Sequence, residues 1–378
     1  GFLRKYFVTG AATQKNPVSS IVAIAQKPGF YENSSLQAQK LKKTRFLRLR
    51  CAIDSPRHKK SCHNRTKTTE STKDMTREEL LQLIDKAADE GQTELDLAGL
   101  GLEELPPEIG KCTQLETLVL GKFEKWEWVD SKYSPKLITN QLIVLPEELR
   151  SLENLRSINL SGNPFGKIPE LLLEMKQLES LNLTSIGLKE IPDAIVQLSN
   201  MTDFDLNFNQ INEIPKAICQ LSNLTRLSLY SNQINEIPEA ICQLSNLTEL
   251  SLFNNQITQI PEPITQVSHL TLLTLNDNQI TFIPEAIAQL SNLSRLLLGN
   301  NQITVIPEAI AQLSNLTQLY LSNNQITVIP EAIAQLSNLK LLHLSNNRIS
   351  QIPNAISQLF NLTQLYLGGN QITSIPDA

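Results

Sequence analysis

The segment Gly162-Asn163-Pro164-Phe165-Gly166-Lys167 is the nearest approach in the chain to a phosphate-binding loop. Such a loop needs four residues between its glycines and a Ser or Thr after the lysine to hold magnesium. Here three residues separate the glycines and Ile168 follows the lysine. Cys51, His58, Cys62 and His63 are metal-ligand residue types. Their C-x6-H-x3-C-H spacing matches no common zinc module, and the segment around them is low in apolar residues. Cys219 and Cys242 occupy equivalent positions of a recurring pattern, filled elsewhere by Ala288, Ala311, Ala334 and Ser357. A slot that accepts Ala and Ser is small, so both cysteines read as reduced packing residues. His269 and His343 have no carboxylate fixed beside them by the sequence, and no nucleophile–base pair is visible. The Asn-Leu-Thr triplets at 223–225 and 246–248 have the form of glycosylation acceptors, but they recur only because that pattern recurs. The sequence therefore predicts no catalytic residue, no metal site and no cofactor.

The pattern that generates these coincidences runs from Gln92 to the end of the chain. It has a 23-residue period, as in LTELSLFNNQITQIPEPITQVSH (247–269) and LTQLYLSNNQITVIPEAIAQLSN (316–338). Alignment on the asparagine gives Asn140, Asn163, Asn209, Asn232, Asn255, Asn278, Asn301, Asn324, Asn347 and Asn370. Leu100 and Ile186 fill the slot in two further copies, making twelve. An insertion, 121–137, interrupts the second copy, and the twelfth is incomplete at its end. Leu247, Leu250 and Leu252 alternate like a short strand with one buried face. Asn255 ends that strand, where its amide can satisfy turn backbone groups inside the stack. Pro261 opens the return segment, expected as a short helix or turn, because a missing N–H costs little there. One unit buries little by itself, so stacking must create the core.

The pattern L-x-x-L-x-L-x-x-N-x-I-x-x-I-P resembles the leucine-rich repeat family. The 23-residue unit with I-P-x-A-I-x-Q-L-x-N-L looks like the intracellular class of Ras-associated scaffolds and the repeat regions of bacterial Roco proteins. Residues 75–110, MTREELLQLIDKAADEGQTELDLAGLGLEELPPEIG, particularly resemble the N-termini of cyanobacterial members, whose repeats precede a Roc GTPase and COR region. The resemblance implies an α/β repeat fold, a right-handed solenoid or horseshoe with a parallel β-sheet on its concave face. It implies a protein partner, with small GTPases and other signalling proteins as the class. Secreted relatives carry cysteine-rich caps that this chain does not match. Two functions follow as alternatives: a non-catalytic binding scaffold, or the regulatory arm of a Roco-type GTPase whose catalytic half lies beyond Ala378.

Three domains are expected: 1–74, 75–91 and 92–378. Residues 1–74 hold 16 Lys+Arg against 4 Asp+Glu and lack periodicity. They read as a disordered basic arm, or as upstream sequence translated in frame ahead of Met75. Residues 75–91 read as a helix capping the repeat stack, with Thr76 and Glu79 as a capping box and Leu80, Leu83, Ile84 and Ala87 on one face. The remaining residues carry 17 basic against 34 acidic side chains, which argues against a nucleic-acid surface on the repeats. No apolar run reaches the ~18 residues of a membrane span. Five cysteines without paired spacing suggest a reducing, cytoplasmic location.

Binding residues should flank the buried leucines, where folding leaves side-chain identity free. In early repeats these positions are small and polar; in late ones they gather Leu272, Arg295, Leu297, Tyr320, Leu341, His343 and Tyr366. Exposed aromatic and aliphatic groups beside an arginine suit an interface hot spot, though they could instead stiffen the sheet as cross-strand pairs. A second patch combines Asp203, Asp205, Arg226, Tyr230, Glu249 and Phe253. The insertion adds Trp126, Trp128 and Tyr133 on a loop expected either to overhang the rim as a binding element or to fold back on the first repeats.

Overall fold

The computed structural model describes residues 8–9, 21–22, 75–129 and 132–374, without the side chains of residues 8–9, 21–22, 128–129 and 132–133. The chain divides into two compact units, residues 1–25 with 74–378, and residues 26–73; the second lies wholly outside the described residues. β1 (Val8–Thr9) and β2 (Ile21–Val22) pair antiparallel. Apart from that pair, the expected disordered arm falls outside the described residues, as do Cys51, His58, Cys62, His63 and Ala378.

Helix α1 (Arg77–Asp89) opens the repeat body. Thr76 caps it: Glu79 N–H donates to Thr76 Oγ1 at 3.2 Å, and Thr76 N–H donates to Glu79 Oε2 at 2.8 Å. Leu80, Ile84 and Ala87 are buried against the first repeats.

A parallel sheet follows, one strand per repeat: β3 (Glu94–Asp96), β4 (Thr117–Val129), β6 (Ser157–Leu160), β7 (Ser180–Asn182), β8 (Asp203–Asp205), β9 (Arg226–Ser228), β10 (Glu249–Ser251), β11 (Leu272–Thr274), β12 (Arg295–Leu297), β13 (Gln318–Tyr320), β14 (Leu341–His343) and β15 (Gln364–Tyr366). β5 (Lys132–Ile138) pairs antiparallel with β4, off that path. The register is uniform: Leu250 lies beside Leu227 and Leu273, and all three central leucines are fully buried. Crossovers between parallel neighbours in one sheet are right-handed.

The return segments are short 3-10 turns, such as Glu285–Gln289 after Pro284 and Glu308–Gln312 after Pro307. Among the described return segments only Glu170–Glu174 is α-helical. A 23-residue unit leaves about five residues for this side, and the tighter 3-10 turn suits so short a piece. Proline ahead of each turn supplies the φ that the turn requires without wasting a donor.

The asparagine slot does what its chemistry suggests. Asn255 Nδ2 donates to Leu229 O at 3.0 Å and Leu252 O at 3.1 Å, while its Oδ1 accepts from Ile234 N–H at 3.0 Å. Where Ile186 replaces asparagine, its own N–H and that of Leu188 donate to Asn209 Oδ1 of the next repeat, at 3.1 and 2.9 Å. Each asparagine thus serves its own turn and the preceding one, and an occasional apolar slot is tolerated.

Candidate functional site

The register brings two rows of side chains together on the solvent side of the sheet. One runs Ser157, Ser180, Asp203, Arg226, Glu249, Leu272, Arg295, Gln318, Leu341, Gln364. The other runs Asn159, Asn182, Asp205, Ser228, Ser251, Thr274, Leu297, Tyr320, His343, Tyr366. Neighbouring strands are about 4.8 Å apart, so Leu297 to Tyr366 spans ~15 Å of contiguous apolar surface. His343 sits between two rings, 5.7 Å from Tyr320 and 4.9 Å from Tyr366 by centroid. Leu272, Leu297, Tyr320, His343 and Tyr366 are all half-buried. Leu341 is a correction: at 9% exposure it is flush with the sheet, flanked by the long side chains of Gln318 and Gln364. Arg295 turns toward the other patch, with its Nη2 4.0 Å from Glu249 Oε1.

Burial holds the His343 imidazole below its ordinary value. The unfolded chain therefore binds the proton first as pH falls through about 6.5, and the fold loses stability there relative to neutral pH. The expected result is a wild-type stability that falls between neutral and mildly acidic pH more steeply than that of His343→Gln. Urea titrations across that range measure it, and parallel curves would contradict it.

In the second patch, Arg226 serves two carboxylates. Its Nη2 lies 2.7 Å from Asp203 Oδ1 and 2.8 Å from Asp205 Oδ2, and its Nε donates to Asp203 Oδ2 at 3.0 Å. Burial raises the Asp203 carboxyl above its usual range, a shift that Arg226 only partly reverses. Burial would lower the Arg226 guanidinium, but the charges of Asp205 and Asp203 outweigh it and hold the guanidinium above its ordinary value. Arg226→Met should therefore leave two partly buried carboxylates unpaired and cost about 2 kcal/mol of stability. Adding Asp203→Asn should recover about half; chemical denaturation of the two variants checks both values.

The insertion is a β-hairpin, not a loop. β4 continues past its repeat strand, and its pairing with β5 runs from Lys122 opposite Ile138 to Val129 opposite Lys132. Lys136 Nζ lies 2.9 Å from Glu124 Oε2 across it, and Lys122 pairs with Asp96 at its base. Its root is seated on glycines. Gly162, at φ +74°, has space for no side chain, because a Cβ there would collide with Thr139 Cγ2. Trp126 is half-buried. Its ring lies 5.6 Å from Phe208 and 6.4 Å from Tyr230, in the fifth and sixth repeats. Trp128 lies opposite Tyr133 in the hairpin pairing, and their side chains are outside the description.

Phe208 was not legible as a site residue; its signal was a bulky side chain in a slot that Ser, Asn, Asp or Gly fills in the neighbouring repeats. Also unforeseen is an exposed apolar stripe, Phe282 at 50%, Val305 at 62% and Val328 at 65%, one residue per repeat. Cys219 is fully buried, and burial, then Cys242, pushes its thiol up to about 11. Cys242 is half-buried, so the two equivalent slots are not equally closed. Among the described residues no helix is long and apolar enough to cross a membrane, and no three His, Cys, Asp or Glu side chains gather to hold a metal ion.

This fold, with an uninterrupted side-chain face on a parallel sheet, defines a protein-binding repeat module. Family models described as leucine rich repeat match residues 154–175, 176–233, 199–257, 268–326 and 323–372. The chain belongs to the leucine-rich repeat family, whose repeat modules are generally non-enzymatic. A leucine-rich repeat protein of Leptospira interrogans is 28% identical over 77% of this chain and 93% of its own, with a TM-score of 0.50. The plant peptide hormone receptor RGFR1, solved in complex with RGF2, is 27% identical over 73% of this chain and 47% of its own, with a TM-score of 0.55. This chain thus spans about half of that receptor chain. An internalin, InlF of Listeria monocytogenes, shares the fold at 24% identity, covering 79% of this chain and 94% of its own, with a TM-score of 0.55. No match was found among the curated proteins.

Proposed function

We infer that this chain is a non-catalytic scaffold that captures a protein partner on the exposed sheet face of its late repeats. The row Leu297–Tyr320–His343–Tyr366 carries the reading. Ser228, Ser251 and Thr274 fill the same positions in adjoining strands, so folding does not demand apolar groups there. Clustered aromatics on a rigid sheet bury much area at low entropic cost, which is what hot spots require. The similar plant peptide hormone receptor, solved in complex with RGF2, supports a peptide or protein as the partner in general. Leu272 extends the patch, with Leu341 contributing only its edge, while Arg295 leans toward Glu249 between the two patches. The acidic balance of the repeats disfavours nucleic acid as the partner. A cytoplasmic signalling protein, a small GTPase among them, is the partner class that the resemblance to Ras-associated scaffolds supports, with no role for a membrane.

Affinity purification from the source tests this with three baits: the native chain, Tyr320→Ala with Tyr366→Ala, and Asp203→Asn with Glu249→Gln. A partner held by the first and third and lost from the second supports the reading. A partner held equally by all three refutes it. The resemblance of residues 75–110 to Roco proteins favours a second reading, the regulatory arm of a GTPase. A G-x-x-x-x-G-K-[ST] loop in the coding sequence after Ala378 would decide for it.

A further inference from the structure

The slot that Phe208 occupies holds Ser185 in the repeat before it and Ser231, Asn254 and Asp277 in those after it. All share a left-handed backbone, and Phe208 has φ +54°. Short polar side chains tolerate that region, whereas a bulky one there is an outlier that stores strain. Such strain persists where the surroundings over-determine it, as at ligand clamps and switches. Around Phe208 the surroundings are aromatic. Tyr230 meets it edge-on at 5.0 Å, and Phe253 continues the run 6.2 Å beyond Tyr230. Three consecutive repeats thus place one ring each in a row, and the indole of Trp126 lies against the first two.

That indole is not supplied by a repeat. It arrives on the β4–β5 hairpin, rooted three repeats upstream and seated there on Gly162. Phe123, on the same strand, backs Trp126 at 5.8 Å. The other repeats form without an insertion, so stacking does not need the hairpin. Alongside the row, Asp203, Asp205, Arg226 and Glu249 offer charges of both signs. The hairpin carries charges of both signs next to its indole, in Glu124-Lys125-Trp126-Glu127.

We propose that Phe208, Tyr230 and Phe253 form a docking seat for an aromatic side chain on an extended partner segment, and that the hairpin fills this seat in cis with Trp126. The partner segment resembles the hairpin strand that it displaces: a tryptophan or tyrosine with acidic and basic neighbours. The native chain is then self-occupied, and a partner must outcompete its own tryptophan, which sets a threshold on binding. This goes beyond capture by the late repeats and uses none of their residues.

The test uses a labelled synthetic peptide of residues 122–136 and the full chain carrying Trp126→Ala, read by fluorescence anisotropy. The vacated seat should bind the peptide at least about tenfold more tightly than the native chain does. A peptide with alanine in place of its Trp126 should not bind. Adding Phe208→Asn to Trp126→Ala should abolish binding while thermal unfolding stays cooperative, since asparagine fits the left-handed slot. Equal peptide affinity for native and Trp126→Ala chains overturns the proposal, as does binding that survives Phe208→Asn. Tyr320 and Tyr366 are intact throughout, so failure here is separable from failure of the late-repeat reading.

Discussion

Replacing Tyr320 and Tyr366 together by alanine is expected to lower partner affinity by about a thousandfold and to shift thermal unfolding by no more than about 3 °C. The affinity figure follows from two hot-spot truncations of about 2 kcal/mol each, at 1.4 kcal/mol per factor of ten. Both rings flank His343 at contact distance, so removing them takes away the walls that hold the imidazole as well as their own area. The stability figure follows from position. Both side chains stand on the solvent side, while Leu319 and Leu365 beneath them are fully buried and unchanged. Titration calorimetry against the captured partner, with scanning calorimetry of the free variant, gives both numbers. A variant that unfolds early yet binds normally per folded molecule would remove the tyrosines from the interface and return them to the sheet as cross-strand fillers.

The largest expected loss of stability comes from the interior. Asn278→Ala should cost about 3–5 kcal/mol, because every group it serves is buried and each one left without a partner costs about 1–3 kcal/mol. Asn278 Nδ2 donates to Leu252 O and Leu275 O at 3.0 and 3.1 Å, and its Oδ1 accepts from Ile257 N–H at 2.9 Å. In a stack held by nearest-neighbour interfaces, the damage should be local in origin. Amide hydrogen exchange should therefore show Ile257 losing protection first, with repeats nearer α1 retaining theirs. Uniform loss of protection along the whole stack would mean that the repeats open as one unit, not neighbour by neighbour.

Much of this was legible because a repeat repeats its physics. Leucines alternating at Leu247, Leu250 and Leu252 fix a strand with one buried face, and the same pattern in every copy fixes parallel pairing in register. The asparagine slot announced its hydrogen bonds, since a side chain with both donor and acceptor was placed where a turn enters the core. The same periodicity exposed the columns that need not be apolar, and so pointed to Tyr320, His343 and Tyr366. Their ring-to-ring contacts followed from register alone.

What breaks the period was not legible. The tryptophan-rich insertion carried no internal rule for its destination. A strand that prolongs β4 and folds back as β5 is specified by pairing with itself and by the glycine seat at Gly162, contacts invisible to spacing. Leu341 read as surface because its slot faces solvent, yet between Gln318 and Gln364 on the neighbouring strands it is 9% exposed.

The sequence by itself determined the parallel sheet, the asparagine hydrogen bonds and which side chains share the sheet's solvent side, because these depend on contacts between equivalent residues one repeat apart. The tertiary structure alone decided that Trp126 crosses to Phe208 and Tyr230, since that contact joins segments far apart in the chain with no common period. Local pattern constrains neighbours in the stack; a contact between unlike segments depends on the shapes that both present once folded.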